Sequence, residues 1–428
     1  MSGIRGLLAD TTPLANPYFR RLWRANIITV VGAQLTVIAV PAQLYADTGS
    51  SAYVGLSGIF GLVPLIVFGL WGGALADHFD RRRLLQISTV GLIATSGMFW
   101  LQAQLGSKNV WVLLCIFAAQ QAFFGINQPT RSAVLPRILP AEQLPAALSL
   151  NMTVTMAGSI AGPMVGGLLI PVLGYSWLYL IDTLTLLATL SAVWMLPPLP
   201  VETRQGSPGL KSVVEGLAYL SRYPVLMMSF VVDLIAMIFG MPRALFPQVA
   251  HESFGGPVSG GVEFAALNAA MPVGAVLGGV LSGWVARVRR QGRAVNWAIG
   301  IWGLSMTGLG LAVAAAPGQP LAWLAVAFAM LAIGGAADMA SAAFRNTILL
   351  SAADDAVRGR LQGVFIVVVA GGPRIADAVH GYVAATPVGT AWTIAGGGIA
   401  VIVGIVLVSV LVPVFYRYEV DPAQVPRS

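Results

Sequence analysis

The strongest constraint on this chain is a succession of long apolar runs. About twelve of them reach ~20 residues, the length an α-helix needs to cross the hydrocarbon of a bilayer. They cover residues 22–46, 53–76, 84–105, 110–132, 147–172, 177–196, 224–249, 262–286, 294–316, 321–344, 361–385 and 390–415. Lipid offers backbone amides no hydrogen-bond partner, so such runs must satisfy their own amides, and helices do that within each run. Composition points the same way: 57% of residues are hydrophobic, 10% are charged, and mean hydropathy is +0.80. A soluble domain carries about 25% charged residues. The expected fold class is an all-α polytopic membrane protein.

The formal net charge is +7, which raises nucleic acid as a partner until the positions are read. With the N-terminus in the cytoplasm, one side of the membrane receives Arg5, Arg20, Arg21, Arg24, Arg81, Arg82, Arg83, Arg131, Arg137, Arg204, Lys211 and Arg222 from the first half. The second half adds Arg287, Arg289, Arg290, Arg293, Arg345, Arg358, Arg360, Arg417 and Arg427 on that side. The other side's loops hold only Lys108, and Arg243 and Arg374 fall inside spans. Lys and Arg resist translocation, so this asymmetry sets orientation: both termini are expected in the cytoplasm. No nucleic-acid partner is expected, the lipid bilayer being the main environment. The single cysteine, Cys115, lies within an apolar run. It gives no disulfide framework and no metal spacing, and it is expected in the core. No cofactor is expected either, because the chain has no nucleotide-binding loop. No secretory leader with a cleavage site is expected at the N-terminus.

Pro197, Pro198 and Pro200 stop the sixth span. Beyond them Leu210, Val213, Val214, Leu217 and Leu220 share one helical face, with Lys211, Glu215 and Arg222 elsewhere. That pattern predicts an amphipathic helix on the membrane surface. The expected organisation is therefore a six-helix bundle over 1–196, a cytoplasmic linker over 197–223, and a second six-helix bundle with a short tail over 224–428. The halves echo each other. GGALADHFDRRR after the second span is matched by GGVLSGWVARVRR after the eighth, with Gly283 in the place of Asp77. RSAVLPRILPAEQL from Arg131 is matched by RNTILLSAADDAVRGR from Arg345. Parallel repeats of this size are one way transporters are built.

The residues of the first hairpin loop resemble a known signature. Gly73, Leu75, Ala76, Asp77, Arg81, Arg82 and Arg83 match G-x-L-A-D-R-x-G-R-[RK]-[RK], the loop between helices two and three of the major facilitator superfamily. His78 and Asp80 depart from it. In the fifth span Gly158, Gly162, Pro163, Gly166 and Gly167 form G-x-x-x-G-P-x-x-G-G, a mark of that superfamily's exporters. Physically, the glycines give a smooth face for a neighbouring helix, and Pro163 loosens the hydrogen-bond ladder. The stretches Asn16 to Tyr45, Leu210 to Leu226 and Asp354 to Val364 resemble the enterobactin-exporter branch.

The resemblance implies the major facilitator fold, with spans one, four, seven and ten lining a central cavity. That places Gln34, Gln120, Gln121, Asn127, Asp233 and Asp338 near it. Ionisable residues within a bilayer usually serve a pathway, so Asp233 is the first choice for a proton carrier: no basic residue lies within a turn of it. Asp338 comes next, then Arg374 and Asp377, which are one helical turn apart and can pair. Asp182 and Glu263 read as structural, and His380 as a packed core histidine. Asp77 with Arg81 to Arg83 and Arg131 is the expected gating cluster at the cytoplasmic side. Proton-coupled exporters of the superfamily often carry an arginine where Gln121 stands here, so any coupling falls to an acid. The expected activity is export of a small organic molecule, a siderophore such as a catecholate, against proton entry. The protein is expected to act as a monomer in the bacterial cytoplasmic membrane. A multidrug pump carries the same marks. A receptor or membrane enzyme is the remote alternative, with no Ser/His/Asp set at one depth to support it.

Overall fold

The computed structural model describes residues 10–76, 78–199, 218–352 and 355–419, and all side chains among them except those of 73, 74, 76, 286 and 350–367. Asp77 and most of the expected amphipathic linker helix (200–217) lie outside the described residues. The long elements are all helices: α1 (Pro17–Thr48), α2 (Ser51–Ala76), α3 (Arg81–Gln104), α4 (Val110–Ile138), α5 (Leu144–Trp194), α6 (Pro224–Gly240), α7 (Val262–Val280), α8 (Gln291–Ala315), α9 (Pro320–Ala352), α10 (Asp355–Ala384) and α11 (Gly389–Leu411).

Straight, the 51 residues of α5 would extend roughly 77 Å, more than twice a bilayer's hydrocarbon core. The helix does not run straight. Gly174 takes φ 76° and ψ 168°, a conformation open to glycine alone among common residues, and splits α5 into the fifth and sixth spans. Among the described residues ten segments are long and apolar enough to cross a membrane, Ala141–Trp194 among them. That segment crosses twice, and α10 supplies the eleventh span, so the chain has the roughly twelve crossings expected of it.

The seventh span is shorter than its apolar run. After Gly240 the backbone leaves the helix at Met241, where Pro242 offers no amide. It continues as a 3-10 turn at Arg243–Leu245 and a π turn at Val249–Ser253. Large apolar side chains such as Ile87, Val172, Val280, Leu321 and Val410 are exposed on helix flanks. In water these would be a liability; against lipid they are the solvated surface. Exposed Trp111, Trp177, Trp194, Trp297 and Trp392 lie near helix ends, where an indole meets both hydrocarbon and water. Cys115 corrects an expectation. It is exposed on α4 rather than in the core, since a weakly polar thiol has no need of burial where the surroundings are apolar.

Two compact units form: one from residues 1–43 and 63–209, the other from 44–62 and 210–428. In the first, Leu22 and Ala25 of α1, Leu85 of α3, Val134 of α4 and Val193 of α5 share one buried cluster. In the second, α7 and α9 run so close that Gly274 faces the backbone of Ala332 and Gly335 that of Met271. Small residues substitute here for hydrophobic drive, which lipid does not provide.

Candidate functional site

The site is in the second unit. On α6, Ser229, Phe230, Asp233 and Met237 fall on one face at helical spacing. On α9, Asp338, Ala342, Arg345, Asn346 and Leu349 do the same. With Val369 of α10 they enclose a cavity of ≈ 220 Å³. Pro224 opens α6 at its first position, where a missing amide costs nothing, and the apolar run behind it carries Asp233 to depth. The Asp233 side chain is 3% exposed and that of Arg345 13%. Arg345 Nη1 pairs directly with Asp233 Oδ2. The Nε of Arg345 is buried without a hydrogen-bond partner. Asp338 has no hydrogen bond or ion-pair contact among the described residues, but lies within electrostatic reach of Arg345 and Asp233.

This corrects one expectation and completes another. Arg345 was expected at the end of the tenth span, among the orienting charges. The helix continues to Ala352, and the guanidinium turns inward. No base lies within a turn of Asp233 along its own helix; its partner comes from α9. The usable signal was the spacing of Asp338 and Arg345, seven residues and about two turns apart on one face.

A second charged group lies further along the unit. Arg243 Nη2 meets Asp377 Oδ2 at 3.0 Å, joining the turn after α6 to α10. Arg374 is within electrostatic reach of both. The first turns of α2, part of the same unit, lie against this stretch of α10: Gly55 is opposite Ala378 and Gly381, and Gly58 opposite the Arg374 backbone. His380 is buried, with Nε2 donating to the Phe239 carbonyl at 3.0 Å.

In the first unit the expected residues take separate places. Gln34 of α1 covers Gly162 of α5, beside Val30 over Gly158, with Leu35 and Ile38 over Gly166. Pro163 and Gly167 are buried in the same helix. The glycine pattern thus forms the bed on which α1 lies. Asn127 donates to Ser88 Oγ at 2.9 Å and Thr89 Oγ1 at 3.2 Å, tying α4 to α3. Gln121 and Arg131 are partly buried on α4. Asp182 is buried and accepts from Thr36 at 2.7 Å and Ser96 at 2.9 Å, which joins α1, α3 and α5.

Asp80, the departure from the family's loop pattern, has its own task. Its Oδ1 accepts from the amides of Arg82 and Arg83 at 2.8 and 3.2 Å, the N-cap of α3. Its Oδ2 accepts from the Leu199 amide at 3.2 Å, and Arg82 donates to the Trp194 carbonyl at 2.6 Å. Arg81 to Arg83 therefore start a helix whose cap also fastens the end of α5.

About twelve membrane-spanning segments with buried charges among them are those of a secondary transporter of the major facilitator class, not an enzyme. Solved structures share the fold. Nucleoside transporter NupG has a TM-score of 0.67 at 12% identity, covering 94% of this chain and 100% of its own. The D-xylose-proton symporter gives 0.67 at 16%, covering 92% and 97%. A bacterial homologue of the iron transporter ferroportin, inward-facing, gives 0.66 at 14%, covering 94% and 98%. The family model described as transmembrane secretion effector matches residues 9–426, and the chain belongs to that family. It is 28% identical over 425 residues, 96% of each chain, to proteins named enterobactin exporter EntS. These come from Shigella boydii serotype 18 (strain CDC 3083-94 / BS512) and Escherichia coli O157:H7 (strain EC4115 / EHEC).

Proposed function

We propose that this transporter exports a small organic molecule, a siderophore of the catecholate kind, from the bacterial cytoplasm by proton antiport. The observation that carries the proposal is the cavity between α6, α9 and α10, with Asp233, Arg345 and Asp338 on its walls. Charges are costly in hydrocarbon and are kept there for pathways. Its relatives named as enterobactin exporters supply the cargo class. Two six-helix halves, 1–196 and 224–428, joined by 197–223, would alternate access to the two sides of the membrane, with both termini cytoplasmic and one chain sufficing.

In this scheme a proton reaching Asp233 from outside neutralises it and loosens Arg345. Deprotonation toward the cytoplasm restores the pair, so inward proton flow drives outward cargo. Asp77 and Arg131 with Arg81 to Arg83 would hold the cytoplasmic side shut in the outward-facing state. Gln34 belongs to the α1–α5 seam that moves with the cycle, while Arg374 and Asp377 guard the far end of α10. Gln121 and Asn127 keep α4 in register.

The test is to delete the gene and measure siderophore inside and outside iron-starved cells. Retention in the deletion strain, reversed by the parent gene but not by Asp233→Asn, is the expected result. Unchanged distribution refutes the cargo. Uphill pumping at the parent rate by Asp233→Asn refutes the coupling residue. A multidrug pump is the second reading, favoured by one observation: among the described residues the cavity holds two acids, Asp233 and Asp338, and one base, Arg345.

A further inference from the structure

The two hairpin loops that echo each other in sequence differ in how their arginines are balanced. In the first, Asp80 caps α3 and Arg82 donates to the Trp194 carbonyl, so acid and base both find partners within the protein. With Leu281 set against Leu75, Gly283 stands in the place of Asp77 and Ala286 in the place of Asp80, while Arg287, Arg289 and Arg290 remain. Arg290 pairs with Glu419 at 2.7 Å, and Arg293 lies over the Tyr416 ring at 5.5 Å. The side chains of Arg287 and Arg289 are exposed and have no hydrogen bond or ion pair among the described residues. The backbone sets these two guanidiniums beside an apolar edge. After α7 the chain forms a 3-10 helix, Ser282–Arg287, in which side chains three apart eclipse at steps of about 6 Å. Leu281, Trp284 and Arg287 therefore fall along one line, and Val280, Leu281 and Trp284 are 79%, 71% and 51% exposed. The indole is set against the Phe344 ring of α9, with centroids 5.8 Å apart. An alkyl group, an indole and a cation follow one another, the order in which a bilayer runs from hydrocarbon through its interface to the headgroups.

We infer that this strip docks an anionic phospholipid, its phosphate against Arg287 and Arg289 and its acyl chain along Trp284, Leu281 and Val280. Charge decides the class: exposed guanidiniums with no acid of their own accept a phosphodiester, and the planar fork of each can meet two of its oxygens. The apolar edge decides the source, because a free phosphate gains nothing from three exposed apolar side chains. One basic residue near an anionic membrane surface is worth about a fivefold gain in association. Two such residues give a preference for anionic over zwitterionic lipid of at least about fivefold, the second adding to it as far as salt does not screen it. A lipid held here joins the ends of α7 and α8 to the membrane surface, whatever the cargo.

Brominated lipids read the contact directly, since bromine on an acyl chain quenches an indole that it touches. The full-length protein is reconstituted in phosphatidylcholine vesicles carrying a minor share of brominated phosphatidylglycerol or, in the matched set, of brominated phosphatidylcholine. The chain has 11 tryptophans, so the Trp284 signal is the difference between the parent and Trp284→Phe. Brominated phosphatidylglycerol is expected to half-quench that signal at a share about fivefold or more below brominated phosphatidylcholine. Arg287→Gln with Arg289→Gln should abolish the preference and leave quenching by the zwitterionic lipid unchanged; Arg287→Lys with Arg289→Lys should keep it. Trp194 is exposed beside an arginine already engaged, so its signal, from Trp194→Phe, reports the general attraction of anionic lipid to a protein of net charge +7 and should show the smaller preference. Equal quenching of Trp284 by the two lipids, an equal preference at Trp284 and Trp194, or a preference that survives the glutamine pair overturns the inference. Inorganic phosphate added at constant ionic strength should leave the quenching as it was; displacement of the lipid by it shows a phosphate site and overturns lipid docking. The single variant Arg289→Gln, at an exposed side chain, should already lose about fivefold and decides the matter if the double variant does not fold.

Discussion

The closest helix approach bearing on the cavity is between α7 and α9, and Gly274→Ala tests what it is worth. A methyl carbon built on Gly274 would stand 2.5 Å from the carbonyl carbon and 2.6 Å from the Cα of Ala332, and nearer still to its carbonyl oxygen. Ordinary contact begins at 3.4 Å, so the helices must part by more than the roughly 0.9 Å that clears the carbonyl carbon, the carbonyl oxygen being nearer still. The obstacle is helix backbone, which cannot step aside as a rotamer would. The seam is reciprocal: Gly335 faces Met271 with a Cβ contact of 2.9 Å to the carbonyl carbon, and Gly278 faces Ala336 Cα at 2.9 Å. One methyl therefore disturbs several contacts at once. Overpacking of this kind costs about 1–3 kcal/mol. For a unit of roughly 200 residues that is a drop in melting temperature on the order of 5 °C. Ala332 lies six residues before Asp338 on the same rigid helix, so the shift should reach the cavity wall and slow export. The assay is thermal unfolding of the detergent-purified protein, followed by tryptophan fluorescence, alongside export by cells that carry the variant. Gly300→Ala on α8 is the control, since nothing lies within 4 Å of that added methyl. It should hold or gain stability, by up to about 1 kcal/mol. If Gly274→Ala melts with the parent and exports as well, the close seam is not what positions α9.

Three further outcomes follow from single contacts. Asp80→Ala removes the cap of α3 and its tie to Leu199; it should cost about 1 kcal/mol in thermal stability, and Asp80→Asn, which still caps, should recover most of it. Asn127→Leu leaves the hydroxyls of Ser88 and Thr89 without their donor, at a cost of roughly 1–2 kcal/mol, which the melt should show. Asp233→Ala or Arg345→Ala each strands a buried charge, worth about 3–5 kcal/mol; the two together should lose far less than the sum, and simple additivity in the double-mutant cycle would show that the pair is not coupled.

How much of this could be read from the sequence depends on where the responsible contact lies along the chain. The spans were legible because hydrocarbon forces the same answer on every segment: no apolar run of that length can be anything but helix in lipid. The glycines of the fifth span were legible as a packing face because their spacing is a property of one helix. The identity of the helix laid against them, α1 through Val30, Gln34 and Leu35, was not. Asp80 shows how a family pattern can mislead: set against the family's glycine it is only a departure, whereas an acid one residue before a helix is the ordinary N-cap signal. Arg345 shows the harder limit. Read along the chain it is one more arginine near the end of a span, and the excess of positive charge on that side already explained it. Only folding brings α9 against α6 and turns that arginine from a marker of orientation into the partner of Asp233. The same step changes what Asp338 is. With Arg345 in a loop, Asp233 and Asp338 are two similar acids in one cavity; with Arg345 paired to Asp233, the two acids stand in different surroundings.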